Sequence, residues 1–155
     1  MATKQVIRMN RLQENLPAIR KIAGWRAVDL GVLLGVTKQS ISNLETQKSK
    51  ITLMQYIAIR HMIDYQIQTQ PENKALARIV PLLLDAASQT DEEYAKVRTA
   101  AEEMASAAAA GVSDETLDTI SEKLLSKKKT AHAADWTAAI MAGIGEQDTK
   151  QALEA

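Results

Sequence analysis

The chain has no cysteine and no phenylalanine, and aromatic residues make up only 3% of its 155 positions. Without cysteine there are no disulfides and no thiolate-bound metals, which suits a cytoplasmic protein. With so few rings, a core has to be built from Leu, Ile, Val, Met and Ala. Strands favour β-branched and aromatic side chains, so this composition predicts helices packed on helices. Long apolar runs are missing too. The densest, residues 79–84, is far too short to span a bilayer. The opening, Met-Ala-Thr-Lys-Gln-Val, leads into no apolar stretch of the kind a signal peptide carries. Two histidines, His61 and His132, stand alone with no metal-ligand spacing. No phosphate loop or nucleophile–base motif is visible, so no enzyme, cofactor or metal is expected.

The formal net charge is zero, but it is unevenly spread. Residues 1–70 hold ten basic side chains against four acidic ones, a net charge of +6, which leaves −6 on the remainder. A basic first half suits a polyanion partner, and an acidic second half should face away from it.

Read in order, residues 1–8 look like an arm. A first helix is expected over 10–23, with Leu12, Leu16, Ile19 and Ile22 at helical spacing. Pro17 should kink it or delay its start. A second helix over 27–34 has Val28, Leu30, Leu33 and Leu34 as its apolar set, with Gly31 placed for a close crossing. Gly35 should stop it in a left-handed turn. Thr37 then caps a third helix over 38–45, which buries Ile41 and Leu44 and leaves Lys38, Gln39, Ser40, Ser42 and Asn43 outside.

A polar loop with Lys48 and Lys50 leads to Thr52-Leu-Met-Gln55, a capping box that opens a fourth helix to about residue 68. Residues 66–73 are polar, contain Pro71 and mark the change in charge sign, so units over 1–70 and 71–155 are expected. Beyond lie a helix over 74–87 that Pro81 should break or kink, or where Pro81 starts a second short helix, and one opened by Thr90-Asp-Glu-Glu93. The latter carries a narrow seam of Tyr94, Val97, Ala101, Met104 and Ala108 and stops at Gly111. A helix after Ser113 has Leu117, Ile120, Leu124 and Leu125 on one side and closes on Lys127, Lys128 and Lys129. A last one, over 131–142, carries Trp136. The lysine run reads as a solvated helix end. Trp25 and Trp136 read as packing residues.

The stretch 27–50 organises the rest. A major groove admits one helix, and that helix needs short polar residues at its N-terminal end and an apolar back. Residues 37–45 have both, and a helix N-terminus also aims N–H groups at phosphates. Residues 10–68, with Gly-Val-Thr-Lys-Gln-Ser-Ile-Ser-Asn-Leu-Glu at 35–45, Leu30-Gly31 and Ile51-Thr52-Leu53, resemble the phage repressor and Cro (XRE-type) helix-turn-helix family.

That resemblance implies base contacts from Lys38, Gln39 and Asn43, and the chemistry agrees: Lys reads guanine O6/N7, and Gln or Asn reads adenine N6/N7. It implies phosphate contacts around Thr37, Ser40, Lys48 and Lys50, and a structural ion pair between Arg20 and Glu45. Two positions depart from the family pattern. Ala27 stands where a phosphate-binding Gln is common, with Arg26 beside it as a replacement. Gln47 stands where Gly is common.

Nothing after Asn73 has strand periodicity, so the self-cleaving β-rich domain of some repressors is not expected. The expected architecture is all-α, a repressor-like helix-turn-helix domain followed by a helical dimerisation region. The expected function is a bacterial or phage transcription regulator that binds double-stranded DNA as a homodimer on a pseudo-palindromic operator. The alternative is an antitoxin or anti-repressor type of interaction protein, whose C-terminal helices bind another protein.

Overall fold

The computed structural model describes residues 4–86, 89–125, 136–137 and 140–141. They form seven helices: α1 (Lys4–Ala23), α2 (Ala27–Leu34), α3 (Lys38–Glu45), α4 (Leu53–Thr69), α5 (Lys74–Leu84), α6 (Asp91–Ala109) and α7 (Asp114–Leu125). No described residue is in a strand, and the described part of the chain is all-α. No described helix is long and apolar enough to cross a membrane. His132, the run Lys127 to Lys129 and most of the helix expected over 131–142 lie outside the described residues.

Helix starts follow the capping chemistry. Thr37, Thr52 and Thr90 each accept a hydrogen bond from the backbone N–H three residues on, at 3.1 Å in each case. Gln55 returns the bond to the Thr52 N–H at 2.9 Å, which completes the capping box. Gly35 ends α2 at φ 70°, the left-handed conformation that glycine adopts without a Cβ clash.

Neither proline breaks its helix or delays its start. Helix α1 runs unbroken through Pro17 and starts at Lys4, so most of the expected arm is helix. Helix α5 runs through Pro81 to Leu84. A mid-helix proline costs about 3 kcal/mol, and burial of the flanking residues offsets it. Leu12, Leu16, Ala18, Ile19 and Ile22 are buried on α1, and full burial of one such large aliphatic side chain contributes about 1.5–3 kcal/mol. In α5, seven of eleven residues are buried. The carbonyl that Pro81 cannot bond belongs to Ala77, which is exposed and open to water.

Helix α1 is the hub, meeting α3, α4, α5 and α6. The small side chains Ala100, Ala101 and Ala105 of α6 are buried, and small residues let helix axes approach closely. Polar ties reinforce this packing. Asn15 Nδ2 donates to the Tyr94 hydroxyl at 2.8 Å, the Tyr94 hydroxyl donates to Glu14, and the Arg11 guanidinium lies 4.3 Å over the Tyr94 ring. Burial, then the Glu14 carboxylate, push the Tyr94 hydroxyl pKa up to about 12. The α6 seam is therefore covered by α1 of the same chain, not left open for a second one.

The polar stretch 66–73 separates two groups of helices without separating two cores. Gln66 Nε2 donates to the Ala23 carbonyl at 3.2 Å, and buried Asn73 donates to the Ile22 carbonyl at 2.9 Å while capping α5. Arg60 of α4 forms a two-pronged pair with Asp85, at 3.0 and 2.9 Å, with both side chains almost fully buried. Arg78 joins α5 to α7 through Asp118 and Ser121. On α7, Leu117, Ser121 and Leu125 are the buried stripe, while Leu124 faces outward.

Candidate nucleic-acid interface

Helix α3 is eight residues long, too short to be stable alone. It is held from behind. Ile41 and Leu44 are buried on the core side. Arg20 on α1 grips Glu45 in a fork, Nε to Oε2 at 3.0 Å and Nη2 to Oε1 at 3.0 Å, and also donates to the Trp25 carbonyl at 3.0 Å. The two side chains are 16% and 12% exposed, so the pair is only lightly screened by water.

A second clamp comes from Gln13, a buried residue that sequence reasoning missed. Its amide nitrogen donates to the Leu44 carbonyl at 3.0 Å and the Ser49 carbonyl at 2.6 Å, and its oxygen accepts from the Ile51 N–H at 3.1 Å. One side chain thereby fixes the end of α3 and the loop that follows. The available signal was its position beside Leu12, on the edge of the buried stripe of α1.

The turn before α3 is equally tight. The Val36 N–H donates to the Gly31 carbonyl at 2.8 Å. A Cβ at Gly31 would stand 2.8 Å from the Val36 carbonyl oxygen. The close approach expected at Gly31 thus occurs against the turn itself.

The outer face of α3 is polar. Lys38 and Gln39 are exposed, with Ser40 and Asn43 half-buried beside them. Gln39 Nε2 donates to Asn43 Oδ1 at 3.1 Å, so two of the three expected base readers hold each other in register. Each keeps polar atoms free for a base edge. Thr37 and Ser40 share a hydroxyl contact at 3.1 Å, which orients both at the helix N-terminus. Lys38, Lys48 and Lys50 are exposed and have no ion-pair partner among the described residues.

The loop after α3 curls back, with the Lys48 and Ser49 N–H groups donating to the Asn43 carbonyl at 2.9 and 3.2 Å. Gln47 sits in this curl at φ 61°. That conformation costs an L-residue roughly 1–2 kcal/mol and favours glycine.

Arg26 is differently placed. Its guanidinium is held by Asp29, Nε to Oδ2 at 3.0 Å and Nη2 to Oδ1 at 2.9 Å, and Asp29 also accepts from the Arg26 N–H at 3.0 Å. The Arg26 hydrogen bonds hold the Asp29 carboxyl below the usual carboxylate range. A phosphate would have to compete with that carboxylate for Arg26. On α4, the exposed His61 ring packs edge-on against Trp136 at 4.9 Å. Among the described residues no group of three His, Cys, Asp or Glu is placed to hold a metal ion.

Comparison of the chain with known protein families, characterised proteins and solved structures finds no match.

Proposed function

We propose that the chain is a sequence-specific double-stranded DNA-binding transcription regulator of the repressor/Cro helix-turn-helix kind, with α3 as its reading helix. The observation that carries this reading is the mounting of α3. Its back is buried and clamped by Arg20 and Gln13, and its outer side offers Lys38, Gln39 and Asn43. A reader has to hold donors and acceptors rigidly in a groove that one helix fills. Lys38 suits guanine O6/N7, and the Gln39–Asn43 pair suits adenine. Thr37 and Ser40 at the N-terminus, with Lys48 and Lys50 in the loop, suit the flanking phosphates, which set position rather than sequence.

The second group of helices braces α1, and α1 carries both clamps. A regulator of this kind acts as a homodimer on a pseudo-palindromic operator, and repression follows where that operator overlaps a promoter. Selection of bound molecules from random duplex DNA tests the reading. It should enrich a short motif repeated as an inverted pair, with centres about one helical turn apart. A selected pool that stays random would overturn it.

A further inference from the structure

Three corners of the chain meet around one hollow. Lys21 and Trp25 come from the end of α1 and the turn into α2, Gln66 and Gln70 from the end of α4, and Val112 and Asp114 from the turn that opens α7. The hollow is open and holds about 380 Å³, within the roughly 300–1,000 Å³ of small-molecule sites. It lies at the joint between the first group of helices and the α6–α7 turn. Its chemistry is two-sided. Lys21 and Asp114 are exposed, and neither has an ion-pair partner among the described residues. Gln66 Nε2 donates to the Ala23 carbonyl at 3.2 Å and to Gln70 Oε1 at 3.0 Å. That leaves the Gln66 oxygen as an acceptor and the Gln70 amide nitrogen as a donor. Trp25 and Val112, both half-buried, add an apolar wall.

We infer that this hollow binds a free α-amino acid, and that the bound molecule steadies the reading helix. A simple anion would meet the Asp114 carboxylate, and a simple cation would meet the Lys21 ammonium. Each would carry a like charge into the site, which selects against it. A molecule with both charges escapes both penalties. Its carboxylate suits Lys21 and the Gln70 amide nitrogen, and its ammonium suits Asp114 and the Gln66 oxygen, all as charge-assisted hydrogen bonds. An apolar side chain suits Trp25 and Val112. The route to α3 is short. The Trp25 N–H donates to the Arg20 carbonyl at 3.0 Å, and the Trp25 carbonyl accepts from Arg20 Nη1 at 3.0 Å. The same guanidinium holds Glu45 at the end of α3. A ligand that ties α7 to the Trp25 turn therefore braces the clamp on α3.

The effect on α3 rests on the DNA reading, but the binding does not. Binding is tested by amide NMR of the full chain, titrated with each common free L-α-amino acid in turn. The N–H signals of Trp25, Gln70, Val112 and Asp114 should shift together with at least one that has an apolar side chain. Lys21→Gln and Asp114→Asn should each weaken that binding about tenfold or more. Both residues are exposed, so the melting transition should survive in both variants. The N-acetylated and C-amidated forms of the same amino acid each lack one charge and should bind as weakly. Signals that stay still under every amino acid overturn the inference. So does binding that both variants leave intact, or that the acetylated form matches. On a selected duplex, the amino acid should tighten binding about fivefold or more, and equal affinity with and without it overturns the role as effector. A chain that takes up an amino acid here and ignores every duplex would sink the DNA reading alone. One that binds a selected duplex while no amino acid moves these signals would sink this inference alone.

Discussion

Helices α2 and α3 are both eight residues long, succeed one another across a single turn, and meet solvent with opposite chemistry. Their buried sides are alike: Leu30 and Gly31 on one, Ile41 and Leu44 on the other. Their outer sides are not. Helix α2 presents Val28, Val32 and Leu33, with its one pair of charges cancelled between Arg26 and Asp29. Helix α3 presents Lys38, Gln39 and Ser42, and the exposed lysines of its loop are unpaired among the described residues. The inner sides specify the fold, and the outer sides are open to solvent or a partner. A hydrated surface carrying cations suits a groove between phosphates. An apolar surface with neutral rims suits another protein.

The contrast can be broken first at its mounting. Glu45→Ala leaves Arg20 half-buried without its carboxylate and should cost about 2–3 kcal/mol in urea unfolding, below the full cost for a completely buried pair because some water reaches both groups. A loss under about 0.5 kcal/mol would mean that α3 is not clamped by this pair. Next come the proposed readers. Lys38→Ala, Gln39→Ala and Asn43→Ala should each weaken binding to a selected duplex by about 1–3 kcal/mol and relax preference at one base position. Three variants that bind like the parent would take the reading role away from α3.

A smaller effect sharpens the boundary between the two faces. Asp29→Asn releases Arg26 and should tighten DNA binding a few-fold, with the salt dependence steepened by about one phosphate. Unchanged affinity and slope would leave Arg26 outside the interface. The smallest effect lies in the loop. Gln47→Gly relieves a left-handed side chain and should raise unfolding stability by up to about 1 kcal/mol. A loss of stability there would show that Gln47 makes a contact worth more than its strain.

Much of the helical order was legible before any coordinates. The capping residues Thr37, Thr52 and Thr90 and the stop at Gly35 act through bonds three or four residues long, so local sequence specifies them. The Arg20–Glu45 pair spans twenty-five positions, and only its match to a family pattern brought it into view. What stayed hidden depends on partners distant in the chain. Periodicity marked the α6 seam as buried but not that α1 covers it. Arg60 fell on the apolar stripe of α4 and gave no sign of its bond to Asp85. Gln13 looked like a surface polar residue because its three backbone partners lie more than thirty positions away. Prolines 17 and 81 read as interruptions or kinks because their cost is local, whereas the burial that offsets it is tertiary. Val28 and Leu33 were assigned inward on hydrophobicity alone, and a helix of eight residues with so many apolar side chains cannot bury them all on one side.

The most direct test of the contrast is an amide NMR titration of the full chain with a selected duplex. The N–H signals of Thr37, Lys38, Gln39, Ser40 and Asn43 in α3, and of Lys48 and Lys50 in its loop, should shift together. Those of Leu33, Met62 and Tyr65 should hold the positions they occupy in the free protein at the same concentration. Shifts centred on α2 and the C-terminal half of α4, with α3 silent, would contradict the assignment of α3 as the DNA-facing helix.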